Sequence, residues 1–180
     1  MKKIIVLFVF IFASSVNVQA QLLKLGLKGG LNYSNLTGSE IQTDALTSYH
    51  IGAVAEIKLA EKFAVQPELL YSTQGATYKT ILGDIDNELG YLSIPVLAKI
   101  YLNNTISLEM GPQASFLLSE KNDFDIENQN TFDFAVAAGL GVNITKSIFI
   151  QGRYVLGLTE VSTTADTKNS VLQLSAGFMF

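Results

Sequence analysis

The 180-residue chain contains no cysteine, no tryptophan and one histidine, His50. Without cysteine it cannot form a disulfide framework, a thiolate zinc site or a cysteine nucleophile. A single histidine rules out a multi-histidine metal site, and any catalytic triad would have to use His50 itself. The 16 acidic residues outnumber the 12 basic ones, so a nucleic-acid-binding role is not expected. These absences predict a protein that is not an enzyme, uses no cofactor and has no thiolate or multi-histidine metal site.

Apart from residues 4–13, the chain has no long apolar run, so no segment is predicted to cross a membrane as a helix. Residues 4–13 follow the positively charged Lys2 and Lys3, and Val18-Gln19-Ala20 has the small-x-small pattern of a cleavage site. This layout is typical of a secretory signal peptide, and the run is too short for a spanning helix. We expect residues 1–20 to be cleaved and residues 21–180 to form one domain.

From residue 21 onwards, apolar and polar residues alternate with the period of two that is typical of β-strands. The first segment, for example, has Leu25 and Leu27 on one face and Lys24 and Lys28 on the other. Segments of roughly nine to twelve residues repeat the pattern, and this length suits a tilted strand that crosses a bilayer. The eight predicted strands are residues 23–33, 49–59, 63–72, 91–102, 106–118, 133–144, 148–158 and 171–180.

The predicted connections alternate between short turns and long loops. The turns are residues 60–62, 103–105 and 145–147, and the loops are about 34–48, 73–89, 119–131 and 159–170. Short turns at one end and long loops at the other are typical of outer-membrane barrels, whose turns face the periplasm. An even number of strands then places both termini at the periplasmic end.

Three prolines fall inside predicted strands, at Pro67, Pro95 and Pro112. Proline removes a donor from the hydrogen-bond ladder, and a closed barrel offers no free edge to accommodate that loss. We therefore expect these prolines to mark bulges.

The two faces of the predicted strands differ sharply in charge. One face is continuously apolar and carries aromatic residues mostly towards the strand ends, like the interfacial girdles of a membrane barrel. A soluble lipocalin-like barrel would show the same alternation with its apolar face turned inward. The high mean hydropathy, +0.31, and the balanced charges favour a polar lumen in an outer-membrane barrel. The charged residues of the polar face are Lys24, Lys28, Glu56, Lys58, Glu68, Lys99, Glu109, Asp133 and Arg153.

Several segments together resemble the PorT-like outer-membrane β-barrel family of Bacteroidetes. They are residues 29–36 (GGLNYSNL), 67–75 (PELLYSTQG), 91–97 (YLSIPVL), 111–113 (GPQ) and 152–158 (GRYVLGL). The resemblance follows the whole mature chain in order and implies an eight-stranded antiparallel transmembrane barrel. The namesake member is associated with type IX secretion and gliding, so the resemblance also implies a role in protein secretion or surface assembly.

The charged residues of the polar face have two interpretations. They could line a selective or peptide-binding lumen, or they could pair and fill the narrow interior of an eight-stranded barrel. We expect the second, because unpaired charges are too costly to keep in a narrow lumen. The predicted lumen network consists of Glu56, Lys58, Glu68, Lys99, Glu109 and Arg153. A small passive porin and a surface adhesion or envelope-anchoring barrel remain alternative functions.

The predicted loops contain most of the acidic residues, and two segments carry alternating carboxylates. These are Asp84-x-Asp86-x-Glu88 and Asp123-x-Asp125-x-Glu127. Calcium loops share this alternation, but neither segment has the glycine and downstream glutamate of an EF-hand. Simple solvation, calcium binding, and divalent bridging to lipopolysaccharide phosphates all stay open.

The chain ends on the apolar face of its last predicted strand, with Phe178 and Phe180 in phase. This ending is similar to the C-terminal signal that the barrel-assembly machinery recognises in its clients. The expected partners are therefore that machinery during insertion, outer-membrane lipid and lipopolysaccharide, and components of a secretion system.

Overall fold

The computed structural model describes residues 22–37, 43–80, 83–121, 132–159 and 168–180. The predicted signal peptide at 1–20 lies outside these ranges. Within them, no helix is long and apolar enough to span a membrane. The strands are β1 (Leu23–Thr37), β2 (Thr43–Ala60), β3 (Phe63–Thr80), β4 (Gly83–Tyr101), β5 (Ile106–Lys121), β6 (Phe132–Asn143), β7 (Ile148–Gly157) and β8 (Lys168–Met179).

The eight strands form one closed barrel. Each strand pairs antiparallel with its neighbours in sequence, and β1 also pairs with β8. The closing ladder runs from the pair Gly26 and Met179 to the pair Thr37 and Lys168. Closure leaves no strand edge unpaired. A strand edge inside a bilayer must be paired because no water is present there to bind its backbone groups. The predicted eight-stranded antiparallel barrel is therefore confirmed.

Side chains of the described strands largely alternate between the outside of the barrel and its lumen. Along β7, every second residue is exposed and every other residue is buried. The outward residues Leu31 and Leu174 are 59% and 60% exposed, whereas the inward residues Glu68 and Arg153 are 3% and 2% exposed. A soluble barrel would show the reverse distribution. The polar face thus lines the lumen, as the sequence predicts.

Outward-facing aromatic residues pair on the barrel surface. The rings of Tyr49 and Tyr71 lie 6.3 Å apart, and those of Phe178 and Phe180 lie 5.6 Å apart near the opposite end. Aromatic rings at both ends of an apolar band are typical of the two interfaces of a membrane. The apolar surface between them is consequently suited to the hydrocarbon of a bilayer.

Several strands extend further towards the long connections than the sequence predicts. β3 and β4 contain 18 and 19 residues, whereas about nine to eleven suffice to cross a bilayer. The predicted loop at 73–89 is largely a β-hairpin, and its ladder continues to the pair Thr80 and Gly83. Backbone pairing does not require an apolar face, so the alternation fades where the strands continue.

The prolines interrupt the ladders without shifting the register, and the prediction that they mark bulges is wrong. The β2–β3 ladder skips the pairs beside Pro67 and resumes in the same register. Pro95 and Pro112 interrupt the β3–β4 and β4–β5 ladders in the same manner. Each strand residue directs its N–H to one neighbour only, so a proline removes a bond on one side. The register shifts of the described strands lie elsewhere, for example between Gly90 and Tyr91.

Candidate functional site

Arg153 of β7 reaches across the lumen to the opposite strand β3. Its Nη1 and Nη2 donate to Oε2 and Oε1 of Glu68 at 2.9 and 2.8 Å, a bidentate pair. Nη2 also lies 3.3 Å from Oε2 of Glu109 on β5. Nζ of Lys28 from β1 lies 2.8 Å from the same Oε2 of Glu68. One guanidinium therefore links two carboxylates that belong to different strands.

A second ion pair lies closer to the short turns. Nζ of Lys99 lies 3.0 Å from Oε2 of Glu56 and 3.6 Å from Oε1 of Glu109. Glu109 belongs to both groups, and two glutamines add further hydrogen bonds. Gln66 accepts from Lys99 at 3.1 Å and donates to Glu68 at 2.7 Å, and Gln151 donates to both oxygens of Glu109 at 2.9 and 3.0 Å.

The six ionised side chains and two glutamines form one connected group, which we call the lumen network. It contains three cations and three anions, and every member is buried to 5% exposure or less. Charge balance and complete pairing are what make buried ions tolerable, because each desolvated charge then has a partner. The members are Lys28, Glu56, Gln66, Glu68, Lys99, Glu109, Gln151 and Arg153.

The structure brings together five of the six residues that the sequence assigns to this network. Lys58 is not among them: it is exposed near the short turns, with its Nζ 5.9 Å from the centre of the Tyr101 ring. Lys28 occupies the place expected for a third cation. Gln66 and Gln151 were not predicted, although each lies two residues from a network member and therefore on the same face of its strand.

A glycine on β6 makes room for the network. A β-carbon on Gly141 would lie 2.6 Å from Oε1 of Glu109 and 2.6 Å from Oγ of Ser107. Any larger residue would displace the Glu109 carboxylate. Gly141 thus leaves room in the lumen for the Glu109 carboxylate.

Apolar side chains also enter the lumen on both sides of the network. One group consists of Leu97, Ala135, Ala137, Val155 and Val171, each at 3% exposure or less. The other consists of Val54, Phe149 and Met179 near the short turns. Such side chains cannot solvate a passing ion. Together with the ion pairs they fill the interior, as expected for a barrel of this size.

His50 is held between Asn32 and Ser175 in the outer part of the lumen. The amide of Asn32 donates to the carbonyl oxygen of Thr73 at 2.6 Å, which turns its Oδ1 towards Nδ1 of His50 at 2.7 Å. Nδ1 must then donate, so Nε2 accepts from the Ser175 hydroxyl at 2.8 Å. The arrangement has the connectivity of a Ser-His-Asn triad, but all three side chains are buried, at 3% exposure or less. The three side chains are therefore shielded from solvent.

The described residues contain no group of three or more side chains suited to hold a metal ion. The predicted acidic segment at 84–88 lies on β4, where its backbone pairs with β3. The other segment, at 123–127, lies outside the described residues. The cation-binding hypothesis for both segments stays a prediction.

A closed antiparallel barrel with an apolar exterior and an ion-paired lumen is the arrangement of small outer-membrane proteins. A family model described as "Outer membrane protein beta-barrel domain" matches residues 19–163. The chain belongs to this family. Its location is accordingly the outer membrane.

Solved structures of outer-membrane proteins share this fold. Ail, the attachment invasion locus protein of Yersinia pestis, has a TM-score of 0.57 and 15% identity, and the match covers 87% of this chain and 98% of Ail. Neisserial surface protein A has a TM-score of 0.58 and 10% identity over 87% of this chain and 97% of that protein. OprG of Pseudomonas aeruginosa has a TM-score of 0.51 and 12% identity, with coverages of 87% and 95%. At these identities the likeness concerns the fold alone, and no curated protein sequence matches that of this chain.

Proposed function

We propose that this outer-membrane barrel is a non-conducting, non-enzymatic scaffold that assists protein secretion or surface assembly through its two ends. The observation that carries the proposal is the lumen network, in which three cations and three anions pair across the interior. An ion entering the lumen would have to break these pairs and also pass the apolar group around Leu97. A closed interior leaves the turns and loops as the surfaces that can meet partners.

A conductance measurement distinguishes the non-conducting scaffold from a small passive porin. We expect purified protein in a planar bilayer to show no open-channel steps. Combining Lys28→Ser, Glu68→Ser and Arg153→Ser with Leu97→Ser should create a leak, because small neutral side chains leave room for water at the ion pairs and in the apolar group. This variant is the matched control that shows the protein has inserted. Clear steps from the unmodified protein would favour the porin.

The secretion role is the part of the proposal that the PorT-like resemblance supports. A strain that lacks the gene should lose secreted cargo from its medium and accumulate precursors in the periplasm. Complementation with the unmodified gene controls for indirect effects. An unchanged extracellular proteome would contradict the secretion role and leave an anchoring barrel.

A second candidate function is surface adhesion, and the long β3–β4 hairpin favours it. Its ladder continues to Thr80 and Gly83, well beyond the length that a bilayer requires. The structural neighbour Ail is named an attachment invasion locus protein. Deleting residues 76–87 should abolish attachment and leave secretion intact if adhesion is the function. Loss of secretion with normal attachment would support the scaffold instead.

A further inference from the structure

The short-turn end of the barrel contains an open cavity of about 540 Å³. Its floor includes Phe149 and Met179, which are 3% and 6% exposed. The Phe149 ring lies against Gly177, where a β-carbon would come within 2.6 Å of Cε1. Glycine at this position therefore lets the ring cover the lumen. The volume falls within the range of ligand-binding cavities, and in an outer-membrane barrel this end faces the periplasm.

Positive charge is concentrated around this cavity. Five of the 12 basic residues of the chain line it, against two of the 16 acidic ones. Lys99 and Glu56 pair with each other at 3.0 Å, which leaves Glu61 as the remaining acid of the lining. A chain with a net charge of −4 thus has a local excess of ammonium groups at one mouth. The four exposed lysines of this mouth are Lys24, Lys58, Lys62 and Lys146.

The exposed lysines come from elements on opposite sides of the barrel. Lys24 and Lys58 belong to β1 and β2, Lys62 to the β2–β3 turn, and Lys146 to the β6–β7 turn. A single phosphate or carboxylate can engage only neighbouring ammonium groups. A string of carboxylates can follow the lysines across the mouth, and the apolar floor can receive a side chain between them.

We propose that this mouth binds an acidic peptide segment of a periplasmic protein. The inference rests on the proposed scaffold function and names the chemistry of its periplasmic partner. Exposed ion pairs are individually weak, so several must act together to hold a segment. The lysines, the floor and the position at the periplasmic end supply these contacts in one place.

Phospholipid phosphates of the inner leaflet are the competing explanation for lysines at this depth. Lys24 and Lys58 argue against it because they occupy the inward phase of their strands. Lys24 lies in register with the buried Glu56, and Lys58 is two residues further along β2. Both line the cavity, so they face the lumen axis and not the lipid.

The test is fluorescence anisotropy with the barrel in phosphatidylcholine nanodiscs and the labelled peptide Glu-Glu-Leu-Glu-Glu. The mouth variant combines Lys58→Gln, Lys62→Gln and Lys146→Gln. The matched control combines Lys79→Gln, Lys121→Gln and Lys168→Gln, which removes the same charge from strands at the opposite end. We expect saturable binding that the mouth variant weakens roughly tenfold, the sum of three exposed ion pairs, and that the control leaves within about twofold.

Two outcomes would overturn the proposal. One is no saturable binding of the acidic peptide by the unmodified barrel, and the other is equal weakening in both triple variants. A shifted band in unheated gels shows that each variant is folded. Conductance tests the scaffold function separately from the peptide site. A barrel that conducts ions and shows lysine-dependent peptide binding would refute the scaffold function and support the peptide site. A barrel that neither conducts ions nor binds the peptide would refute the peptide site and leave the scaffold function intact.

Discussion

Arg153 of the lumen network contacts two carboxylates at once. Its guanidinium is 2% exposed and holds Glu68 and Glu109, which lie on β3 and β5. Arginine suits this position because its planar donors match a carboxylate in two places at once. Lysine could satisfy only one of the two carboxylates well.

Replacing Arg153 should destabilise the barrel strongly. Arg153→Met leaves the Glu68 and Glu109 carboxylates short of a partner in a buried lumen, and breaking a buried pair in this way costs about 3–5 kcal/mol. Urea unfolding in lipid vesicles, followed by circular dichroism because the chain lacks tryptophan, measures the loss. The double variant Arg153→Met/Glu68→Met should recover part of it. A single variant as stable as the parent would show that the network contributes nothing to the folded state.

The pairing partners of Arg153 could not be predicted from its own sequence surroundings. Glu68 lies 85 positions away and Glu109 lies 44 positions away. Alternation predicts that all three side chains face the lumen, but the contacts depend on how far each strand is staggered around the barrel. The same uncertainty explains why Lys58 was assigned to the network and Lys28 was not.

The outward face of each strand is the face that contacts lipid. β6 exposes Phe132, Phe134, Val136 and Ala138 in turn, with buried residues between them. These positions face lipid, where a charge has no water or counter-ion nearby. The cost of a charge on this face consequently depends on its depth in the bilayer.

A charge in the middle of β6 should therefore cost more than one just beyond its periplasmic end, in the turn that follows. Ala138→Arg should lower the free energy of unfolding by about 2–4 kcal/mol, and Ile144→Arg by about 0–1 kcal/mol. Urea unfolding in vesicles compares the two variants under identical conditions. Equal effects at both positions would contradict the assignment of the outward face to lipid.

The sequence predicted the number of strands correctly, but it predicted the ends of the strands and the effect of the prolines less well. The β3–β4 hairpin continues past the last apolar alternation, because backbone pairing does not require an apolar face. Pro67, Pro95 and Pro112 keep the register of their ladders. The neighbouring strands hold each segment on both sides, so the loss of one donor does not force an extra residue into the strand.

At the scale of the whole molecule, the two ends differ in charge. Eleven of the 16 acidic residues fall within residues 34–48, 73–89, 119–131 and 159–170, the predicted extracellular connections. Four exposed lysines surround the cavity at the other end. The acidic extracellular connections would repel anionic molecules, whereas the lysines at the other end would attract them. The barrel would therefore have different partners on each side of the membrane.

Phe178 and Phe180 allow a test of how the barrel is assembled. Phe178 and Phe180 are 47% and 75% exposed on the outer surface. If the barrel-assembly machinery recognises them, Phe180→Ala should lower the folded fraction in cells and leave refolding into vesicles nearly unchanged. Phe116→Ala, another exposed aromatic residue, is the control. A parallel loss in cells and in vesicles would instead indicate an ordinary role in membrane packing.

The class of fold, the number of strands and the face that each strand turns to the lipid could all be predicted from the amino-acid sequence. This was possible because the period of two and the position of charge are local properties of each segment. The folded barrel was needed to show which charges meet, that Lys58 belongs to the mouth, and that His50 lies between Asn32 and Ser175. These contacts join residues far apart in the chain, and the register and closure of the barrel alone bring them together.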